Sequence, residues 1–171
     1  GIRDRSPSRG LGDVYKRQVI DNKSDEIGFK YTETHGQHHA TWVKDGNIQV
    51  FDNGESSSRV VEIDPSNADI VWDYHGIPSH QFFSGHISGA TRLESGNVLI
   101  CEGTSGRLFE VNRAHEVVWE WINPFLNNNS RGEATVSIYR AHRYAHDHPA
   151  IADKDLDPSR FGNLNQLNGL I

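Results

Sequence analysis

Residues Ser84–Trp121 read SGHISGATRLESGNVLICEGTSGRLFEVNRAHEVVWEW. Three short alternating runs stand out: VLIC at 98–101, RLFEV at 107–111 and EVVWEW at 116–121. Ser95-Gly96-Asn97 precedes the first, Gly103 to Gly106 precedes the second, and a fourth run, Gly89–Leu93, leads in. Runs of this length punctuated by Gly and Asn are strand-and-turn signals, and four of them joined by tight turns predict one antiparallel four-stranded sheet.

The unit occurs twice. HATWVKDGNIQVFDNG at 39–54 lines up with GATRLESGNVLICEG at 89–103, with Ala40-Thr41 answering Ala90-Thr91 and Gly46-Asn47 answering Gly96-Asn97 at an offset of 50. SRVVEI at 58–63 answers GRLFEV at 106–111 at an offset of 48, and DIVWDY at 69–74 answers EVVWEW at 116–121 at 47. The offset shrinks only in turns, where length changes are tolerated. Four strands per unit at this period predict an all-β chain and a partial β-propeller, with four-stranded antiparallel blades at 38–74 and 86–121. Thr135–Ala141 reads as one more strand, placed where a further blade would begin or the ring would be latched. Two or three blades cannot close a ring, so the chain is expected to expose an apolar blade face and to associate.

Within the blades, Ile70, Trp72 and Tyr74 share one strand face, as do Val117, Trp119 and Trp121; the repeated Trp reads as packing between blades. Asp45-Gly46 suits a type I′ hairpin and Asp64-Pro65-Ser66-Asn67 a longer reversal. His75–Gly85 connects the blades, Asn123–Gly132 reads as a polar loop, and 150–171 as an irregular C-terminal segment. Residues 19–37 form a polar approach to the first blade. DVYKRQ at 13–18 resembles the in-frame translation of a sequencing-library adaptor end, so residues 1–18 are expected to be a non-native segment; a basic disordered arm is the alternative.

At 171 residues the chain has the length of one domain. A hydrophobic content of 35% and a mean hydropathy of -0.64 suit a turn-rich β protein. No apolar run approaches the roughly 18–20 residues that span a membrane. Net charge is -6, and residues 1–18 carry Arg3, Arg5, Arg9, Lys16 and Arg17 against Asp4 and Asp13, so the remainder is more acidic still. That argues against nucleic acid and anionic membrane as partners. Cys101 is the one cysteine; it permits no internal disulfide and reads as a small buried hydrophobe.

Ten histidines is a high count, and they cluster. His35, His38 and His39 precede the first strand of one blade, and His86 precedes that of the next. His142, His146 and His148 form a third group. Three readings stand side by side: loop histidines with no shared role, a metal site, and an anion site shared with Arg59, Arg92 or Arg107. HGQHH and HRYAHDH match no standard zinc spacing. Arg59 and Arg107 occupy equivalent positions, which points to a structural job. Asp52, Glu62, Asp73, Glu102, Glu110 and Glu120 also recur at equivalent positions and read as solvent-side or turn-capping residues. No P-loop, GxSxG elbow or GxGxxG is present.

GQHHATWVKDGNIQVFDNG, SRVVEIDPSNADIVWDY, FFSGHISGATRLESGNVLICEGTSGRLFEV, VVWEWINPF and YRAHRYAHDHP, in this order, resemble the C-terminal part of the arylsulfotransferase family over 35–149. The resemblance implies a six-bladed ring that transfers a sulfuryl group from an aryl sulfate to a phenol through a histidine, without a cofactor. It further implies a periplasmic or secreted full-length protein. Gln37-His38 matches the family's Gln-His step, which makes His38 the first catalytic candidate and leaves the choice between it and His39 open. The Arg after FDNG maps onto Arg59, and His86 is a further nucleophile candidate by its position. At least one family histidine is expected upstream, so the chain alone is expected to be inactive. A non-catalytic propeller that binds a ligand or partner is the rival reading, and a quinone-dependent propeller is another.

Overall fold

The structure, a computed structural model, describes residues 36–167; residues 1–18, the approach up to 35 and His35 lie outside them. The described residues form three antiparallel sheets. The first runs in sequence order through β1 (Gln37–Trp42), β2 (Ile48–Asp52), β3 (Arg59–Ile63) and β4 (Ile70–His75). The second is β5 (Gly89–Arg92), β6 (Val98–Glu102), β7 (Arg107–Val111) and β8 (Val117–Ile122), again in order. The third is a small hairpin, β9 (Asn127–Asn128) with β10 (Ala134–Thr135). Among the described residues, helix is confined to single turns at Ser79–Gln81 and Pro158–Phe161 and to α1 (Gly162–Leu167).

The sequence repeat is a repeat of register. Ile48 faces Ile63 as Val98 faces Val111, and Asp52 faces Arg59 as Glu102 faces Arg107. Even the irregularity recurs: the third and fourth strands slip between Glu62 and Ile63, and again between Glu110 and Val111.

The turns differ from expectation in an instructive way. Between the hydrogen-bonded Val43 and Asn47 the turn from β1 to β2 has three residues, not the two of a type I′ hairpin. Gly46 N–H donates to the Val43 carbonyl at 3.0 Å, and Val43 N–H to the Asn47 carbonyl at 2.9 Å. Gly46 alone in this turn is left-handed, with φ of +84°, so a type I turn ends in a glycine bulge. Leu93–Asn97 repeats the arrangement around Gly96, φ +89°.

Asn123–Gly132 is not simply a loop. Asn129 Oδ1 accepts from Arg131 and Glu133 N–H at 2.9 and 3.0 Å, as Asn112 Oδ1 accepts from Ala114 and Glu116 N–H at the same distances. The turn between β7 and β8 is therefore copied between β9 and β10. The strand expected over Thr135–Ala141 is regular only at Ala134–Thr135. Beyond it the backbone bonds to a turn instead of a strand: Ile138 N–H donates to the Gly103 carbonyl, and Asn123 Nδ2 to the Val136 carbonyl, both at 2.8 Å.

The two large sheets bury an aromatic core between them. Phe51, Val60, Trp72 and Tyr74 of the first meet Ala90, Val98, Ile100, Phe109 and Val111 of the second, with Phe82 of the connector between. The Phe82 ring sits 5.6 Å from those of Phe51 and Tyr74 and 5.5 Å from Phe109. Edge-on and tilted ring contacts at this spacing add to area burial of about 1.5–3 kcal/mol per large side chain. Trp72 packs between sheets as expected. Its counterpart Trp119 is 39% exposed, on the side of the second sheet that no third large sheet covers among the described residues.

Candidate functional site

Four of the recurring carboxylates, read from the sequence as solvent-side or turn-capping, are buried, and of them Asp52 also accepts from the Gly54 N–H of the following turn at 3.3 Å. Asp52, Glu62, Glu102 and Glu110 are all nearly inaccessible, and each is met by arginine, as buried charges must be. Arg59 Nε reaches Asp52 at 3.0 Å, and Arg107 reaches Glu102 at 3.4 Å within its own sheet. Glu62 is bound across the sheets by Arg92 and Arg113 at 2.7 Å each, and from its own sheet's first turn by the Asn47 amide at 3.0 Å. Burial by itself raises the Glu62 carboxyl; the Asn47 and Arg113 hydrogen bonds and the charges of Arg113 and Arg92 outweigh it and hold the group below its ordinary range.

Glu110 repeats the device with the Asn97 amide, at 2.7 Å, and with Arg143. Arg113 lies over Trp72 at 4.6 Å, and Arg143 over Trp119 at 4.7 Å. Arg143 thus does for the second sheet what Arg92 and Arg113 do for the first. The stretch that ends in it occupies the place that β5 holds beside the first sheet, which brings His142 to the position of Thr91.

There the edge strands β1 and β5 meet. β1, β5 and His142 enclose a cleft of about 410 Å³ lined by His39, Thr41, Thr91, Arg92 and His142, with Lys44 and Glu94 paired across its mouth at 3.6 Å. Val43 and Leu93 supply apolar wall. His39 enters through an irregularity of β1 between His38 and Thr41, where its φ is +56°. Its imidazole lies on Gly89, so closely that a Cβ there would stand 2.7 Å from Nδ1. The ring meets His142 edge-on, 6.2 Å between centroids. Glycine at 89 is what leaves room for this histidine.

The other sequence candidates stand apart from the cleft. His38 is half-buried on β1 opposite Phe51, and Arg59 is engaged with Asp52. His86 is exposed on the connector, its carbonyl accepting from Ser84 Oγ at 2.9 Å. That connector is fixed from beneath by a buried polar network. Asn53 Nδ2 donates to the Ser84 and Ile87 carbonyls, Ser58 Oγ to the Asn53 carbonyl, and Ser88 Oγ to Ser84 Oγ. The network holds Ile87 and Ser88 at φ of 54° and 85°, conformations that cost about 1–2 kcal/mol each.

His142 appeared in the sequence only as one of a histidine group; the signal that places it is the match of Arg143 to Arg92. Among the described residues no group of three His, Cys, Asp or Glu could hold a metal ion. Cys101 is buried as expected, and burial pushes its thiol up to about 11, which keeps it protonated and unreactive.

No protein-family model matches this chain. No curated protein matches it either. Among solved structures, a protein of unknown function from Bacteroides caccae is similar at 14% identity and a TM-score of 0.38, over 57% of this chain and 36% of that one. The chain therefore spans about a third of that protein's length.

Proposed function

We propose that the chain forms two blades of an arylsulfotransferase-like β-propeller whose full ring moves a sulfuryl group from an aryl sulfate to a phenol. The observation that carries this reading is the cleft at the inner strands, where His39 faces His142 beside Thr41, Thr91 and Arg92. Inner strands line the axis of a propeller, so a site here is shared between blades. Among the candidates His38, His39 and His86, only His39 lines the cleft, and it takes the nucleophile's role.

In the first half-reaction a ring nitrogen of His39 attacks sulfur, the bond from sulfur to the aryl oxygen breaks, and the phenolate leaves with the electron pair. In the second, a phenol oxygen attacks the N-sulfo group, the nitrogen–sulfur bond breaks, and its electron pair returns to His39. The acceptor's proton passes to a neighbouring base, for which His142 is placed. Splitting the transfer this way is covalent catalysis and gives ping-pong kinetics. Val43 and Leu93 give the aryl ring an apolar surface, and the arginine and histidine donors stabilise charge on sulfuryl oxygens and leaving phenolate.

The test is 4-nitrophenol release from 4-nitrophenyl sulfate with phenol as acceptor, using the full-length gene product. His39→Ala should lower kcat on the order of a hundredfold or more, and Gly89→Ala, which displaces the imidazole, should lower it nearly as far. His86→Ala should remain near wild type. A folded protein without acceptor-dependent turnover would return the chain to the rival reading, a non-catalytic propeller that binds a ligand or partner.

A further inference from the structure

Gln49 is completely buried, and neither its Nε2 nor its Oε1 has a hydrogen-bond partner among the described residues. An amide in that state is unfavourable, because both polar atoms give up water and gain nothing. The sheet does not require it. In the second sheet the same position is Leu99, equally buried, set between Thr91 and Glu110 as Gln49 is set between Thr41 and Glu62.

The register places the amide. Thr41, Gln49 and Glu62 are opposite one another on successive strands, so their side chains share one face of the sheet. Glu62 on that face is bound by Arg92 of the second sheet, so it is the face turned toward the cleft side of β5. Thr41 and Arg92 both line the cleft, and Gln49 stands one strand behind Thr41. Glu62 and Arg92 satisfy each other, which leaves the Gln49 amide as a neutral group directly behind the part of the cleft wall that Thr41 and Arg92 form, able both to give and to take a hydrogen bond.

The geometry points to Gln49 as the group that recognises the hydroxyl of a phenolic ligand entering between Thr41 and Arg92. This rests on the sulfuryl-transfer reading for the identity of the ligand but concerns the acceptor alone. A sulfate ester presents only acceptor oxygens and would leave Oε1 unmatched. A phenol hydroxyl has one hydrogen to give and lone pairs to receive, so it completes both atoms of the amide. A site built on such a pair rejects the analogue that lacks the hydroxyl far more strongly than an apolar pocket could.

The experiment measures binding of phenol and of anisole, its methyl ether, to the full-length protein by calorimetry, for wild type, Gln49→Met and Gln49→Leu. Methionine keeps the side chain's length without the amide, and leucine is what the second sheet already carries. Wild type should prefer phenol over anisole by about tenfold or more; both variants should lose that preference while melting at the same or a higher temperature. A wild type that binds both equally, or a Gln49→Met that keeps the preference, overturns the assignment. So does a variant that melts lower with its preference intact, which would make the amide structural. Failure of sulfuryl transfer with the phenol preference present would remove the enzymatic reading and leave this site standing. Turnover with an unchanged KM for phenol in Gln49→Met would remove this site alone.

Discussion

Glu62 is the residue on which the contact between the sheets turns. Two guanidinium groups and one amide converge on it beside the aromatic and aliphatic core. Glu62→Gln keeps the shape and removes the charge, and should lower stability by about 2 kcal/mol in chemical denaturation. The figure sits at the lower end for a buried pair because Arg113 is partly exposed and can rehydrate. Titration gives an independent reading. The folded carboxyl ionises below its ordinary value of 4.5, so the unfolded chain binds a proton more readily in acid. The stabilisation is complete above that value and is lost as pH falls below it toward the folded pKa. Wild type should therefore lose stability more steeply than Glu62→Gln below about pH 4.5, measured as denaturation midpoints across the acid range. The burial of this residue was not legible beforehand. A carboxylate alternating with Val61 and Ile63 looks like the wet side of a strand, and the arginines that dry it lie 30 and 51 residues further along.

At the level of strands and turns, much more was written in the chain. The offsets of 50, 48 and 47 are the register differences between the two large sheets, because apolar alternation fixes which face each strand buries. What escaped notice was chemistry too short for a pattern. The third hairpin has two residues per strand, and its one sequence mark is Asn129…Glu133 echoing Asn112…Glu116. The site followed the same rule: His39 was visible beside His38, but the irregularity of β1 that turns it inward has no signature in HGQHHATW. The bulged turns allow a clean test of backbone preference. A Cβ on Gly96 meets nothing within 4 Å, so Gly96→Ala should cost about 1 kcal/mol from the left-handed φ alone. Gly96→Asn should recover part of that in the same thermal melts.

The whole molecule is uneven. Trp72 and Trp119 are the same residue of the same repeat, each under an arginine, yet one is nearly inaccessible and the other 39% exposed. Trp72→Ala should cost about 3 kcal/mol or more and Trp119→Ala about 1, read from denaturant midpoints of this chain. In the full proposed ring, where another blade would cover Trp119, the two costs should converge. The arginines add a direction to this unevenness. Glu62 is neutralised by Arg92 and Arg113, and Glu110 by Arg143, always from later in the chain. Glu62 lies on the face that the second sheet covers, so the elements that take it out of water are the same ones that bring its counterions. The first sheet is therefore half of a lock whose key is cut further down the chain: what these arginines fasten is the seam between two sheets, not either sheet by itself.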